Sequence, residues 1–301
     1  MPEDSWTVIA NPVAGRGNAA KRANLLMKAL EDSGAEATLS MTGGRGDAER
    51  LTKEALDADA TRVVACGGDG TVHEVVNGIM ASAKKVGDVA MGILSAGRCN
   101  DLCYALGLPG KPDAGIQGLL NSQVRSIDLG RVGDRYFSTI ATLGFDSEVS
   151  EYVASGRHPS FLRGATAYLY AAVVTLFQFR HPQLTLRGDF GDFNGPFFLV
   201  ATGNTDRYGG RMRIAPAASL DDGELDICLV RPASKLDILR MLPRTFNGGH
   251  VGHPAVSMER TRRLEIESEQ TLWLWADGER LGQTPATIEV VPGALRVMVP
   301  R

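Results

Sequence analysis

Along the first 125 or so residues, short apolar runs alternate with stretches in which apolar positions return every three to four residues. "WTVIA", "AEATLSM", "TRVVAC" and "VAMGIL" read as strands, and residues 18–33, 47–58 and 71–82 read as the helices between them. Strands separated by helices of this length predict a parallel sheet with crossover helices, a doubly wound α/β domain. After Val124 the period changes to two. "RSIDLGRVGDRYFSTIATLG" gives two alternating runs around Gly133-Asp134, a hairpin signal. Further short strands are predicted in "PQLTL", "PFFLVATGN", "ELDICLV", "RRLEIES", "TLWLWADG", "ATIEVV" and "LRVMVP". The pattern therefore predicts an α/β domain over 1–125 and a mostly antiparallel β domain over 126–301, the latter carrying a helical insertion at about 146–180.

Composition narrows this picture. A chain of 301 residues, 44% hydrophobic and 22% charged, is an ordinary globular sequence with room for two cores. Its 32 basic and 35 acidic residues give a net charge of −3, which argues against a nucleic-acid partner and requires any anion to be met locally. Cys66, Cys99, Cys103 and Cys228 show no paired spacing, as expected of reduced thiols in a cytoplasmic protein. The start "MPEDSWTVIANP" lacks the order of an export signal. The apolar stretch from Phe161 to Phe179 is interrupted by Arg163, Tyr168, Tyr170 and Gln178 and reads as a packed helix, with a membrane-touching element as the lesser alternative.

The candidate chemistry lies in three turns. In "VVACGGDGTVHEVVNGIM" a strand passes through Gly67, Gly68 and Gly70 into a helix starting near Thr71. Glycines there let backbone N–H groups approach a bound group, and the helix start favours phosphate. Asp69 would repel phosphate unless a divalent cation lies between them or the carboxylate moves a proton; the plainer reading makes it a helix N-cap. A second turn, "ILSAGRCND", holds Gly97, Asn100 and Asp101, and a third, "NPVAGRGN", follows the first strand. In a parallel sheet all three fall on the edge where ligands bind. Gly15, Gly17 and Ala20 also satisfy a dinucleotide spacing, but the second strand ends in "LSMTGG" without the acid that fold needs. The chain has no P-loop, and "DFG" at Asp189–Gly191 stands without the other kinase motifs.

With these turns in place the sequence resembles the diacylglycerol kinase catalytic-domain superfamily, in particular its bacterial soluble lipid kinases. The resemblance is carried by "NPVAGRG", "GGDGTVHEVVNG", "GILSAGRCNDLCYALGLP", "IDLGRVGDRYF", "APAASLDDGELDICLV" and "WADGERL". It implies an ATP- and Mg²⁺-dependent phosphotransferase, with a nucleotide domain of the NAD kinase and diacylglycerol kinase type and a β-sandwich-like lipid domain. Asn11, Arg16, Gly67, Gly68, Asp69, Gly70, Thr71, Gly97, Arg98, Asn100 and Asp101 would surround the nucleotide. Asp69, Asp101 and Asp128 would anchor Mg²⁺ through water. A further Mg²⁺ would sit in "SLDDGEL", on Asp222 and the main-chain oxygens of Ser219 and Glu224. Glu279 would accept the proton of the lipid hydroxyl, with Asp277 as its substitute. Ser95 and Arg98-Cys99 depart from the family's usual proline, threonine and small residue.

The acceptor is less legible. Phe161, Leu162, Tyr168, Leu169, Val173, Leu176 and Phe177 could wall an acyl groove or simply form core. Arg207, Arg211, Arg213, Arg260, Arg262 and Arg263 could meet anionic headgroups or form a solvated face. His250 and His253 lack a clear third metal ligand. The expectation is a lipid kinase in transient peripheral contact with the membrane that bears its substrate, and it leaves room for a homodimer. An NAD kinase acting on a soluble dinucleotide and a silent nucleotide- or lipid-binding protein remain as alternatives.

Overall fold

The computed structural model describes residues 5–82, 87–210 and 212–301. The chain divides into two compact units. Unit 1 takes the residues up to Leu129 together with Leu220–Asp222 and Val291–Arg301; unit 2 takes Gly130–Ser219 and Gly223–Val290. In unit 1 the order is β1 (Ser5–Ala10), α1 (Asn18–Asp32), β2 (Glu36–Met41), α2 (Asp47–Asp57), β3 (Arg62–Gly67), α3 (Asp69–Ala81), β4 (Ala90–Ser95), α4 (Asp101–Ala105) and α5 (Pro112–Leu120). The strands pair in parallel in the order β2-β1-β3-β4.

Burial explains the strand sequences. β3 and β4 are almost wholly buried and correspondingly read as continuous apolar runs, whereas β2, at the edge, is half-exposed and alternates. Ala19, Ala23, Leu26 and Leu30 of α1 and Ile116 and Leu119 of α5 share a core with Val8, Val64, Cys66 and Leu94. Helices α2 and α3 pack on each other and against β1 and β3. Their approach is close because Gly78 lacks a side chain: a methyl there would stand 2.5 Å from Thr52 Cβ.

Unit 2 is built on β5 (Ser122–Val132), which enters it from unit 1, β6 (Arg135–Phe137), β7 (Ile140–Gly144), α6 (Phe145–Ala154), α7 (Ala165–Gln178), β8 (Gln183–Gly188), β9 (Gly191–Pro196), β10 (Leu199–Gly203) and β11 (Leu225–Val230). It continues with α8 (Lys235–Met241), β12 (Val256–Thr261), β13 (Arg263–Ser268), β14 (Trp273–Ala276), β15 (Glu279–Gln283) and the first part of β16 (Ala286–Pro300). One antiparallel sheet has the order β12-β11-β10-β7-β14-β15. Its inner face, with Ala141, Leu143, Val200, Ile227 and Leu274, packs on Leu184, Leu186, Leu264, Ile266 and Ile288 of β8, β13 and β16, giving a sandwich. Its outer face is covered by α7 and α8 through Leu176, Ile238 and Met241.

Two readings of the pattern need correction. The domain boundary falls at Leu129, and the last strand does not belong to unit 2 alone. The runs "ATIEVV" and "LRVMVP" form one strand, β16, whose first half pairs antiparallel with β13 and whose second half pairs parallel with β4 at Val297 and Met91. Alternation predicts a strand but carries no record of which sheet receives it. The insertion is two helices, α6 and α7, and α8 is a third that the period does not reveal because it is only seven residues long.

The β5–β6 hairpin gives a direct test of packing. Gly130 stands opposite Phe137, whose ring is fully buried and fills the space a Gly130 side chain would take. Gly130→Ala is expected to lower stability by about 1–3 kcal/mol, the usual cost of overpacking a filled core, read as a lower urea midpoint at unchanged slope.

Candidate active site

The turn after β1 is held by Asn11. Its N–H donates to Cys66 O at 3.0 Å, its side-chain oxygen accepts from Val13 N at 3.2 Å, and its carbonyl accepts from Ala14 N at 3.1 Å. The chain then passes through three left-handed residues, Gly15, Arg16 and Gly17, at φ 59°, 58° and 87°. Gly15 is obligatory because a methyl there would run into the Ala96 carbonyl oxygen. Arg16 bears the steric cost of that conformation and leaves its guanidinium exposed.

The turns after β3 and β4 touch backbone to backbone. A methyl on Gly97 would lie 2.5 Å from Gly68 Cα, and one on Gly68 would lie 3.2 Å from Gly97 Cα. Ala96 N and Gly97 N both donate to Gly67 O, at 2.7 and 3.1 Å. Asp69 locks the pair: its carboxylate accepts from Asn100 N at 3.0 Å and Asp101 N at 2.9 Å. Asp69 is therefore no cap of its own helix, whose N-cap is Gly68; it caps the neighbouring α4. Asn100, left-handed at φ 52°, closes the turn by donating to Gly97 O at 3.1 Å. Thr71 packs against Gly67, and Arg98 is exposed. Unit 1 thus brings together Asn11, Arg16, Gly67, Gly68, Asp69, Gly70, Thr71, Gly97, Arg98, Asn100 and Asp101 on the β1, β3 and β4 turns.

Two contributors are absent from the sequence reading. Glu74, one turn into α3, accepts from Gly46 N at 2.8 Å and Ala48 N at 2.9 Å, so it caps α2 across the helix pair. Arg22 of α1 donates to the carbonyl of Ser95, at the mouth of the β4 turn. An acid followed five residues later by another inside one helix was the available signal for Glu74, but only tertiary structure says which helix it caps.

The expected metal residues are placed in part. Asp128 is buried, accepts from Gly293 N at 2.7 Å, and donates its own N–H to Leu220 O at 2.6 Å, which fixes the 220–222 segment beside it in unit 1. Asp221 pairs with Arg125 at 2.7 Å, and Asp222 follows it in the same segment. Ser219 and Glu224 flank that segment; the Glu224 side chain pairs with Arg260 at 2.8 Å. Among the described residues no three His, Cys, Asp or Glu side chains are grouped to hold a metal.

In unit 2, Asp277 and Gly278 turn between β14 and β15 with φ 52° and 82°, both positive as a two-residue hairpin requires. The Asp277 carboxylate accepts from Ser138 N at 2.9 Å, Ser138 Oγ at 3.3 Å, Thr139 N at 3.1 Å and the Thr139 hydroxyl. Four donors make Asp277 a clamp on the β6–β7 turn. Glu279, half-buried, opens β15 beside it, and the next residue, Arg280, grips Glu151 of α6 at 2.9 Å while lying over Trp273.

Comparison with known proteins agrees with this layout. Residues 5–132 match the diacylglycerol kinase catalytic domain, and residues 139–299 match the YegS C-terminal NAD kinase beta sandwich-like domain. A diacylglycerol kinase of Mycobacterium tuberculosis is 33% identical over 303 residues, covering 98% of this chain and 95% of its own. The chain belongs to the diacylglycerol kinase and YegS family. A probable lipid kinase YegS-like of Chromohalobacter salexigens is 33% identical over 271 residues, covering 90% of this chain and 86% of its own. In fold, a putative diacylglycerol kinase from Bacillus anthracis superposes with a TM-score of 0.79 at 20% identity, over 99% of this chain and 98% of that one.

Other groups singled out in the sequence take structural parts. Burial pushes the Cys99 thiol up to about 11, helped by Asp101 and Asp69, so it is not a ready thiolate; Cys66, Cys103 and Cys228 are pushed up to about 12, again by burial first. His250 is buried with Nε2 at 3.1 Å from Ile214 O, and His253 Nδ1 accepts from Ala255 N at 3.2 Å, so each ring has one nitrogen engaged by nearby backbone. Arg207 and Arg213 pair with Asp206, Arg260 with Glu224, and Arg263 with Glu265 and Glu289; the backbone N–H of Arg262 donates to Asp189, and Arg211 lies outside the described residues.

Asp146 was not singled out. At the start of α6 it accepts from Thr142 Oγ1 at 3.0 Å and from the Tyr208 hydroxyl, yet burial outweighs both and raises its pKa above the ordinary carboxylate value. A raised folded pKa means that the native state holds its proton more tightly, so stability falls as pH rises through the carboxylate range. Asp146→Asn removes that dependence. Its melting temperature relative to wild type is expected to rise steadily from pH 4 to pH 7, measured by thermal unfolding of both proteins in the same buffers.

Proposed function

We propose that this chain is an ATP-dependent lipid kinase that transfers the γ-phosphoryl group to the hydroxyl of diacylglycerol or a related lipid alcohol. The observation that carries this reading is the pair of glycine turns held together by Asp69, at the carboxyl ends of parallel strands where the order reverses beside β1. Its support from relatives is that those similar over the whole chain are named as diacylglycerol and lipid kinases.

The residues suit a nucleotide with a divalent cation. Gly15, Gly68 and Gly97 leave backbone exposed where side chains would collide, the first N–H groups of α3 have no acceptor within their own helix, and Arg16 and Arg98 present planar donors suited to phosphate oxygens. Asp69, Asp101, Asp128 and Asp222 are hard oxygen donors of the kind Mg²⁺ takes, and Mg²⁺ keeps several waters, so few direct side-chain ligands are needed. With ATP and Mg²⁺ bound, the donor supplies the phosphoryl group and the cation neutralises its charge. The protein's own part is to position and to move one proton. In this reading unit 1 orients the donor, and Glu279 in unit 2 accepts the proton of the acceptor hydroxyl while Asp277 holds the hairpin that carries it.

The test is transfer of label from γ-labelled ATP with Mg²⁺ to diacylglycerol, sphingoid, ceramide and prenol lipids, with NAD in parallel. Label in the organic phase is expected, with Glu279→Gln lowering kcat by about 10²–10⁴-fold at unchanged ATP affinity. Asp69→Ala is expected to abolish transfer. Label on NAD alone, or ATP binding without transfer to any lipid, would overturn the reading in favour of a dinucleotide kinase or a silent binder.

A further inference from the structure

In sequence, helix α7 reads as core, as the wall of an acyl groove or, less favoured, as a membrane-touching element. It is core on one face only. Ala167, Ala171, Thr175 and Leu176 are buried where the helix packs on α6, with Leu176 in the core on the outer face of the six-stranded sheet. Leu169, Val173 and Phe177, spaced four apart and thus stacked along one face, point outward, Leu169 64% and Phe177 65% exposed. Phe161, in the turn before the helix, is exposed as well. Helix α8 repeats the arrangement: Ile238 and Met241 are buried, while Leu236, Leu239 and Leu242 face away, followed by exposed Phe246. The two helices meet where Lys235 Nζ donates to Phe177 O at 3.3 Å and lies 4.6 Å from the Phe177 ring centre.

Charge singles out what fits this face. Residues 155–181 and 231–253, which carry α7 and α8, contain seven basic residues and one acid, in a chain with 32 basic and 35 acidic residues. Several arginines elsewhere in unit 2 are matched, as with Arg131 and Glu289, Arg187 and Glu267, or Arg280 and Glu151. Arg163, Arg180 and Arg244, beside the apolar face, are exposed and form no ion pair among the described residues. An apolar face rimmed by cations suits an anionic bilayer surface: aromatic and leucine side chains enter the boundary between headgroups and chains while arginines meet the headgroups. It suits a second copy poorly, because two such rims repel. Among the described residues no helix is long and apolar enough to cross a membrane, so this face would lie on the bilayer.

We propose that the outward faces of α7 and α8 form the docking surface of this protein for an anionic bilayer. The biological sense of this rests on the lipid-acceptor reading, since the bilayer is where such an acceptor resides, but the binding can be measured without it. The experiment is flotation of the full-length protein with phosphatidylglycerol and phosphatidylcholine vesicles, without ATP or acceptor. Wild type is expected to float with phosphatidylglycerol and to be released by salt or by pure phosphatidylcholine. Phe177→Ser with Leu239→Ser should lower partitioning at least about tenfold, and Arg163→Glu with Arg244→Glu at least about fivefold for each cation lost. Both variants should keep their melting temperature, and their phosphorylation of dispersed short-chain diacylglycerol should stay within twofold of wild type while that of vesicle-borne diacylglycerol falls with binding.

Failure of wild type to float, or flotation unchanged in both variants, would overturn the proposal. A wild-type dimer in sedimentation velocity that the Phe177→Ser, Leu239→Ser variant loses would overturn it too, by assigning the face to a second copy. Docking with no transfer to any lipid would support this proposal and sink the kinase reading.

Discussion

Two backbone N–H groups donating to one carboxylate hold unit 1 in its working form. Asp69 reaches out of α3 to the start of α4, so the β3 and β4 turns cannot separate without breaking both of these bonds. The glycines of the segment follow from that closeness: Gly68 meets Gly97, and Gly67 makes room for Thr71. Glu74 extends the same device in the other direction, to α2, and Gly78 lets α2 come near. Helix α3 is thus a hub whose polar side chains terminate its neighbours. "GGDGTVHEVVNG" looks like a ligand motif in sequence, yet most of its letters have a packing duty that ligand binding would presuppose.

Unit 2 uses the same chemistry at a different place. Asp277 sits in a tight hairpin and accepts two N–H and two O–H bonds from Ser138 and Thr139, so the β14–β15 tip is tied to the start of β7. Arg280 anchors the other side of the tip to α6. Glu279 lies between two fixed neighbours, which limits how far its carboxylate can wander. In the proposed reaction such confinement would help Glu279 receive a proton, because the geometry need not be found anew each time.

The parallel half of the fold is legible because its inner strands are buried on both faces and its helices are amphipathic; each constraint leaves its own pattern. The antiparallel half is legible strand by strand. What alternation cannot express is partner choice, which is why β16 was assigned whole to one domain. Short α8 gives too few turns for a period to emerge. The three site turns could be found from glycine and asparagine placement, but the direction in which Asp69 caps could not, since a carboxylate beside a helix start has more than one helix within reach. Arg207 and Arg213 of "DRYGGRMRIAP" looked like part of a cationic surface because their partner, Asp206, is an acid counted in the same stretch without any sign that it is shared.

The path of β16 has a consequence for how the protein comes to exist. The strand that stands beside β4 and carries Gly293, whose N–H meets Asp128, comes from residues 291–300, after all of unit 2 in sequence. A ribosome releases β1 to β4 early, but their sheet lacks this strand until residues 291–300 have been made, leaving one edge of β4 unsheltered until then. Unit 1 is therefore completed only after the residues of unit 2 have been made, and a nascent chain halted short of residue 291 would hold an open sheet edge instead of a completed domain.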